Sequence, residues 1–196
     1  MKRKSKKLDA EKIREIVETV DDAAKKSGAK YAVMGGACFV LFGLPYTTED
    51  IDMAADGDIA DGLLPLVENP NAFSWNKNGH YMVSGVKVDF VHKLSDGTSR
   101  LFAAAVKNRV RHRGVWCCRL SDAAAIRLAA GRPKDFSVLR NLIRLGEIDI
   151  ASVARTVLRH APASKGADEA RKVLGKKSPF INLAKELKRH KSQRRK

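Results

Sequence analysis

The 196-residue chain predicts an α+β fold, a mixed β-sheet flanked by helices and followed by a C-terminal helical bundle. Two patterns carry that expectation. Up to about residue 120, short apolar runs bounded by Gly, Pro, Asn or Asp alternate with stretches of helical period. From Ser121 onward only helical periodicity remains. The resulting organisation is an α/β domain over residues 9–120 and a helical domain over residues 121–187. Basic tails occupy residues 1–8 and 188–196. An apolar content of 44% is ordinary for a folded chain, so a core is available.

Taken in order, Asp9–Ser27 reads as an amphipathic helix with Ile13, Ile16, Val17 and Val20 on one stripe, stopped by Gly28. Tyr31–Met34 is a short buried strand. Gly36–Phe42 is a helix ending at Gly43, with Pro45 just beyond. Asp50–Ala55 is the second strand, and Ile59–Val67 is helical up to the breaker pair Asn69-Pro70. His80–Ser84 and Val86–His92 are strands joined around Gly85, with Val86, Val88 and Phe90 on one face and Lys87, Asp89 and Val91 on the other. Leu101–Ala105 reads as a short helix and Val115–Leu120 as a last strand. Between them, Lys107, Arg109, Arg111 and Arg113 occupy every second position. In an extended segment they form a cationic face: either a solvated edge protected against aggregation or a track for triphosphate or RNA. Trp116 reads as packing rather than base stacking. Ser121 is a plausible N-cap for a helix ending at Gly131, Pro133 opens the next, and Asp149 caps another through Leu158. Ala167–Leu174 and Pro179–Leu187 complete the series.

Charge and cysteine usage narrow the setting. The net charge is +16, and eleven of those charges are terminal: five basic residues in 2–7, and seven against Glu186 in 185–196. Such blocks are either solubilising tails or arms for RNA or another polyanion. Three cysteines, two of them adjacent at Cys117-Cys118, make no disulfide framework and suit a reducing, cytoplasmic setting. None of the five histidines falls at a ligand spacing. No apolar run reaches the ~20 residues that span a bilayer, and the basic start lacks a following apolar segment, so no membrane partner is expected.

The chemistry concentrates in Val33–Asp52, where Gly35-Gly36 separates an apolar run from a helical pattern and the segment closes on Asp50-Ile51-Asp52. Bare backbone N–H groups at a helix start seat phosphate. Two carboxylates on one strand face repel unless a cation joins them, and hard oxygen donors suit Mg²⁺. Together these features describe a nucleoside-triphosphate site. Each piece also has a plainer explanation. Asp-x-Asp often ends a surface strand, Gly-Gly often only turns the chain, and Asp89 is equally a buried partner for a nearby Lys or Arg.

Gly35-Gly36, the thirteen-residue spacing to Asp50-x-Asp52, and Asp89 within Val86–Val91 resemble the nucleotidyltransferase superfamily of the DNA polymerase β type. The run Leu128-Ala-Ala-Gly-Arg-Pro-Lys-Asp135 is similar to a segment of small bacterial nucleotidyltransferases, including abortive-infection AbiEii-type proteins. The likeness spans roughly residues 28–145; Thr48 fits its pattern, while Tyr46 stands where an Arg is expected. It implies transfer of a nucleoside monophosphate from a triphosphate to an acceptor hydroxyl, with RNA or tRNA among the candidate acceptors. Asp50, Asp52 and Asp89 would be catalytic and hold two Mg²⁺ ions. Gly35, Gly36 and Thr48 would contact the triphosphate, and Arg127, Arg132 and Lys134 would add positive charge, with Arg132 and Lys134 equally readable as solvated residues of a helix–helix turn. A protein hydroxyl is another possible acceptor. One alternative is a noncatalytic RNA-binding module on the same scaffold; another, suggested only by the AbiEii likeness, is one half of a toxin–antitoxin pair.

Overall fold

The computed structural model describes residues 7–57, 59, 63, 80–91 and 98–193. Most of the helix expected over Ile59–Val67 lies outside the described residues, as does His92. The chain divides into two compact units, one formed by residues 1–94 and 102–119, the other by residues 95–101 and 120–196.

The first unit opens with α1 (Ala10–Ser27). Asp9 caps it by accepting a hydrogen bond from the Lys12 N–H, and Gly28 ends it in the left-handed region, φ 68°. Its apolar stripe Ile13, Ile16, Val17 and Val20 is buried, and the helix packs on α2 (Gly35–Leu41) and β6 (Val115–Cys117). The remaining strands are β1 (Tyr31–Met34), β2 (Asp50–Ala55), β3 (His80–Val83), β4 (Val86–Val91) and β5 (Val110–His112). The six described strands form one mixed sheet in the order β3-β4-β2-β1-β6-β5. Within it β1/β6 and β2/β4 are parallel, and the other neighbours are antiparallel. All four residues of β1 are buried, as a central strand covered on both faces must be.

Two tight hairpins shape the sheet edges. Ser84 and Gly85 both take positive φ between β3 and β4, as do Arg113 and Gly114 between β5 and β6. Two consecutive positive φ angles make the turn whose twist matches the strands it joins. Instead of the expected row of four cations, Lys107 closes the helix α3 (Ser99–Lys107) and Arg113 sits in the second turn. Only Arg109 and Arg111 share a feature: their guanidinium carbons lie 4.6 and 5.5 Å from the centre of the Trp116 ring. The α3 helix is longer than expected because Leu101, Phe102, Ala105 and Val106 give it a continuous buried stripe. His112 stacks on Phe42 with ring centres 4.3 Å apart, and its Nε2 lies 3.0 Å from the Leu41 carbonyl. The three cysteines are buried and are not joined in disulfides.

The second unit is helical: α4 (Leu120–Ala130), α5 (Pro133–Leu145), α6 (Ile150–His160), α7 (Ala167–Leu174) and α8 (Pro179–Gln193). Pro133 takes the first position of α5, and Asp149 caps α6 by accepting from the Ala151 and Ser152 N–H groups. Ser121 lies inside α4, which begins two residues earlier than a cap there would allow, and α8 runs six residues past Leu187. Gly166 fixes how α7 approaches α4. Its N–H donates to the Ala129 carbonyl at 3.0 Å, and a Cβ at this position would collide with the Leu128 carbonyl. No described helix is long and apolar enough to cross a membrane.

Candidate functional site

The alternation of β2 buries Ile51 and Met53 and leaves Asp50 and Asp52 half-buried on the opposite face. Parallel pairing with β4 sets Asp52 directly beside Asp89 and Asp50 beside Lys87. One carboxylate oxygen from each of Asp50, Asp52 and Asp89 comes within 4.8 Å of the others. Strand register therefore gathers side chains that are 37 residues apart in sequence.

Thr48 is buried beneath this group. Its hydroxyl donates to the Asp50 carbonyl at 2.9 Å and lies 3.1 Å from Asp50 Oδ1. Its own carbonyl accepts from the Leu8 N–H at 2.9 Å, which ties the start of the chain to the base of the site.

Asp89 is divided in its bonding. Oδ2 accepts from the Lys87 ammonium at 2.5 Å, whereas Oδ1 is enclosed with no hydrogen-bond partner. The hydrogen bond to Asp89 raises the Lys87 pKa; burial opposes the shift, while the charges of Asp89, Asp50 and Asp52 reinforce it. An enclosed carboxylate oxygen without a donor is costly, and three carboxylates this close repel one another. A hard divalent cation answers both demands, and an all-oxygen donor set fits Mg²⁺. The lysine was not among the expected site residues. Its signal was its place two residues before Asp89 on a strand, which puts both side chains on one face.

Gly35 and Gly36 follow β1 directly, where Met34 pairs with Asp52. Gly35 has φ 63°, and a Cβ there would strike the Asp52 carboxylate. At Gly36 a Cβ would lie 2.8 Å from Thr48 Oγ1 and 2.9 Å from the Tyr46 ring. Both glycines are thus demanded by close packing around the acidic residues. Tyr46 fills the space over Gly36 and meets Phe39 edge-on, ring centres 5.4 Å apart.

Arg127, Arg132 and Lys134 belong to the second unit. Arg127 donates to Asp135 Oδ1 at 2.8 Å, and Arg132 donates to Oδ2 at 2.6 Å and to Oδ1 at 3.2 Å. Asp135 is fully buried, and Lys134 is exposed. The run from Leu128 to Asp135 thus builds a helix–turn–helix junction around one carboxylate; the turn was one of the two expectations for Arg132, the shared bonding of both arginines to Asp135 was not.

No protein-family model and no curated protein matches the chain. Solved structures match in fold. An antigenic nucleotidyltransferase-like protein from Paracoccidioides brasiliensis superposes with a TM-score of 0.57 and 17% identity, over 93% of this chain and 95% of that one. The antibiotic-resistance factor ANT(2'')-Ia gives a TM-score of 0.50 and 11% identity, over 86% and 97% of the two chains. JHP933 from Helicobacter pylori gives 0.50 and 10%, over 94% and 95%. At such identities the likeness is one of architecture: this mixed sheet with its flanking helices is a nucleotidyltransferase-like fold.

Proposed function

We propose that the protein is a Mg²⁺-dependent nucleotidyltransferase that moves a nucleoside monophosphate from a nucleoside triphosphate to an acceptor hydroxyl, with RNA, tRNA included, as the favoured acceptor. The observation that carries this reading is the meeting of Asp50, Asp52 and Asp89 in register, with Asp89 Oδ1 enclosed and unpartnered. In the proposed transfer the acceptor oxygen bonds to the α-phosphorus, the bond to the bridging oxygen breaks, and pyrophosphate leaves. A divalent cation, when bound, supplies positive charge to the phosphate oxygens. Asp50 and Asp52 would hold it and Asp89 would complete the donor set, and the ion so held would lower the pKa of the acceptor hydroxyl. Thr48 acts through Asp50 by fixing its backbone and carboxylate together. The side-chain-free faces of Gly35 and Gly36 let α2 start close beside Asp52, and on this reading backbone N–H groups of that turn would hold phosphate. For Arg127, Arg132 and Lys134 a nucleotide role rests on sequence resemblance alone. RNA is favoured as acceptor because the +16 charge suits a polyanion rather than a small cationic substrate.

The test is transfer of label from α-labelled triphosphates to bulk RNA in Mg²⁺, comparing wild type with Asp52→Asn. Loss of transfer on the order of a hundredfold or more is expected. Unchanged transfer by a correctly folded variant would sink the proposal. If wild type binds RNA with steep salt dependence yet consumes no triphosphate, the scaffold is a noncatalytic RNA-binding module instead.

A further inference from the structure

We infer that Lys87 is a built-in cation of the carboxylate cluster, and that the cluster consequently takes one divalent ion where a two-ion arrangement would take two. The inference rests on the reading of Asp50, Asp52 and Asp89 as a cation site and specifies how many ions that site admits. Lys87 pairs in register with Asp50 and precedes Asp89 by two residues, so its stem rises on the carboxylate face of the sheet. Its ammonium is bonded to Asp89 Oδ2, so the enclosed Oδ1 is the oxygen of that residue with no partner.

Charge balance leads to the same count. Asp50, Asp52 and Asp89 carry three negative charges, Lys87 returns one, and a single divalent ion neutralises the remainder. Two ions about 4 Å apart need shared carboxylates and a third donor for the second ion. Here one of the two Asp89 oxygens already accepts from an ammonium, which leaves one fewer to share. The Lys87 side chain is 44% exposed against 19% for Asp89, so its ammonium, with two further N–H groups, is open to an incoming phosphate oxygen. Lys87 thus supplies, as a fixed point charge, the attraction for phosphate that a second ion would otherwise provide.

The test counts Mn²⁺ bound per full-length chain, from the excess metal that travels with the protein in gel filtration on a column equilibrated with Mn²⁺. It is run with and without a non-hydrolysable triphosphate analogue. Wild type and Lys87→Arg should bind one ion in both conditions. Lys87→Met and Lys87→Gln, with Asp89 Oδ2 released, should bind two when the analogue is present. Lys87 is well exposed, so these variants should fold, and circular dichroism verifies that they do. Two ions on wild type, or any count other than two on both neutral variants, would overturn the inference while leaving the cation site in place. No saturable Mn²⁺ on wild type would overturn the inference and the underlying reading together.

Discussion

At Thr48 one hydroxyl governs both the backbone and the carboxylate of Asp50. Thr48→Val keeps the shape and removes that donor. It should weaken Mn²⁺ binding by a few-fold to tenfold, the worth of one hydrogen bond, while the chain stays folded; calorimetric titration checks this. Gly36 is constrained differently, because a methyl group there would press on Thr48 and Tyr46 at once. Gly36→Ala should cost about 1–3 kcal/mol, read as a lower urea midpoint with an unchanged slope. The acidic residues and the glycine pair were legible in the sequence because period-two alternation and a strand-to-helix turn place them without knowledge of their neighbours. Lys87 was harder to read. Its approach to Asp50 depends on β4 lying parallel to β2, because that pairing brings the two into register.

Among the elements, the α4–α5 junction is the most exacting. A fully buried Asp135 receives three hydrogen bonds from Arg127 and Arg132, with the Arg127 side chain itself only 11% exposed. Removing one partner of a buried ion pair leaves the others uncompensated, so Asp135→Ala should destabilise the protein by about 3–5 kcal/mol in urea unfolding. Elements with local stop signals were readable: α1 between Asp9 and Gly28, β1 and β2 at their observed limits, and both strands around Gly85. Errors arose where local preference met tertiary packing. Alternating Lys107, Arg109, Arg111 and Arg113 looked extended, but the stripe ending at Val106 keeps Lys107 helical, and the hairpin turns Arg113 away. Ser121 resembled a cap, yet Ala123, Ala124 and Leu128 are buried on a helix already under way at Leu120.

For the whole molecule, alkaline conditions act against folding through groups kept protonated by burial. Burial pushes the Cys117 thiol from 9.0 up to about 12, and burial, then the hydrogen bond to Asp21, pushes the Tyr31 phenol well above its usual 10.0. Above pH about 9 the unfolded chain releases protons that the folded chain retains. Stability present below that point is therefore lost as pH rises, and thermal midpoints should fall from pH 9 upward. Tyr31→Phe should flatten the part of that fall above pH 10. The fold class was legible at this scale from the change in periodicity near residue 120. The charge of +16 gave a polyanion partner as an expectation without a surface to receive it. The two guanidinium groups resting on Trp116 have a practical consequence here. A polyanion whose phosphates bind Arg109 and Arg111 would alter the charge against the indole, changing the quenching and colour of its emission. In a Trp75→Phe background, Trp116 is the only tryptophan left in the chain. Its fluorescence would then act as an intrinsic optical gauge, reporting when the β5–β6 edge is occupied and when the tails alone are.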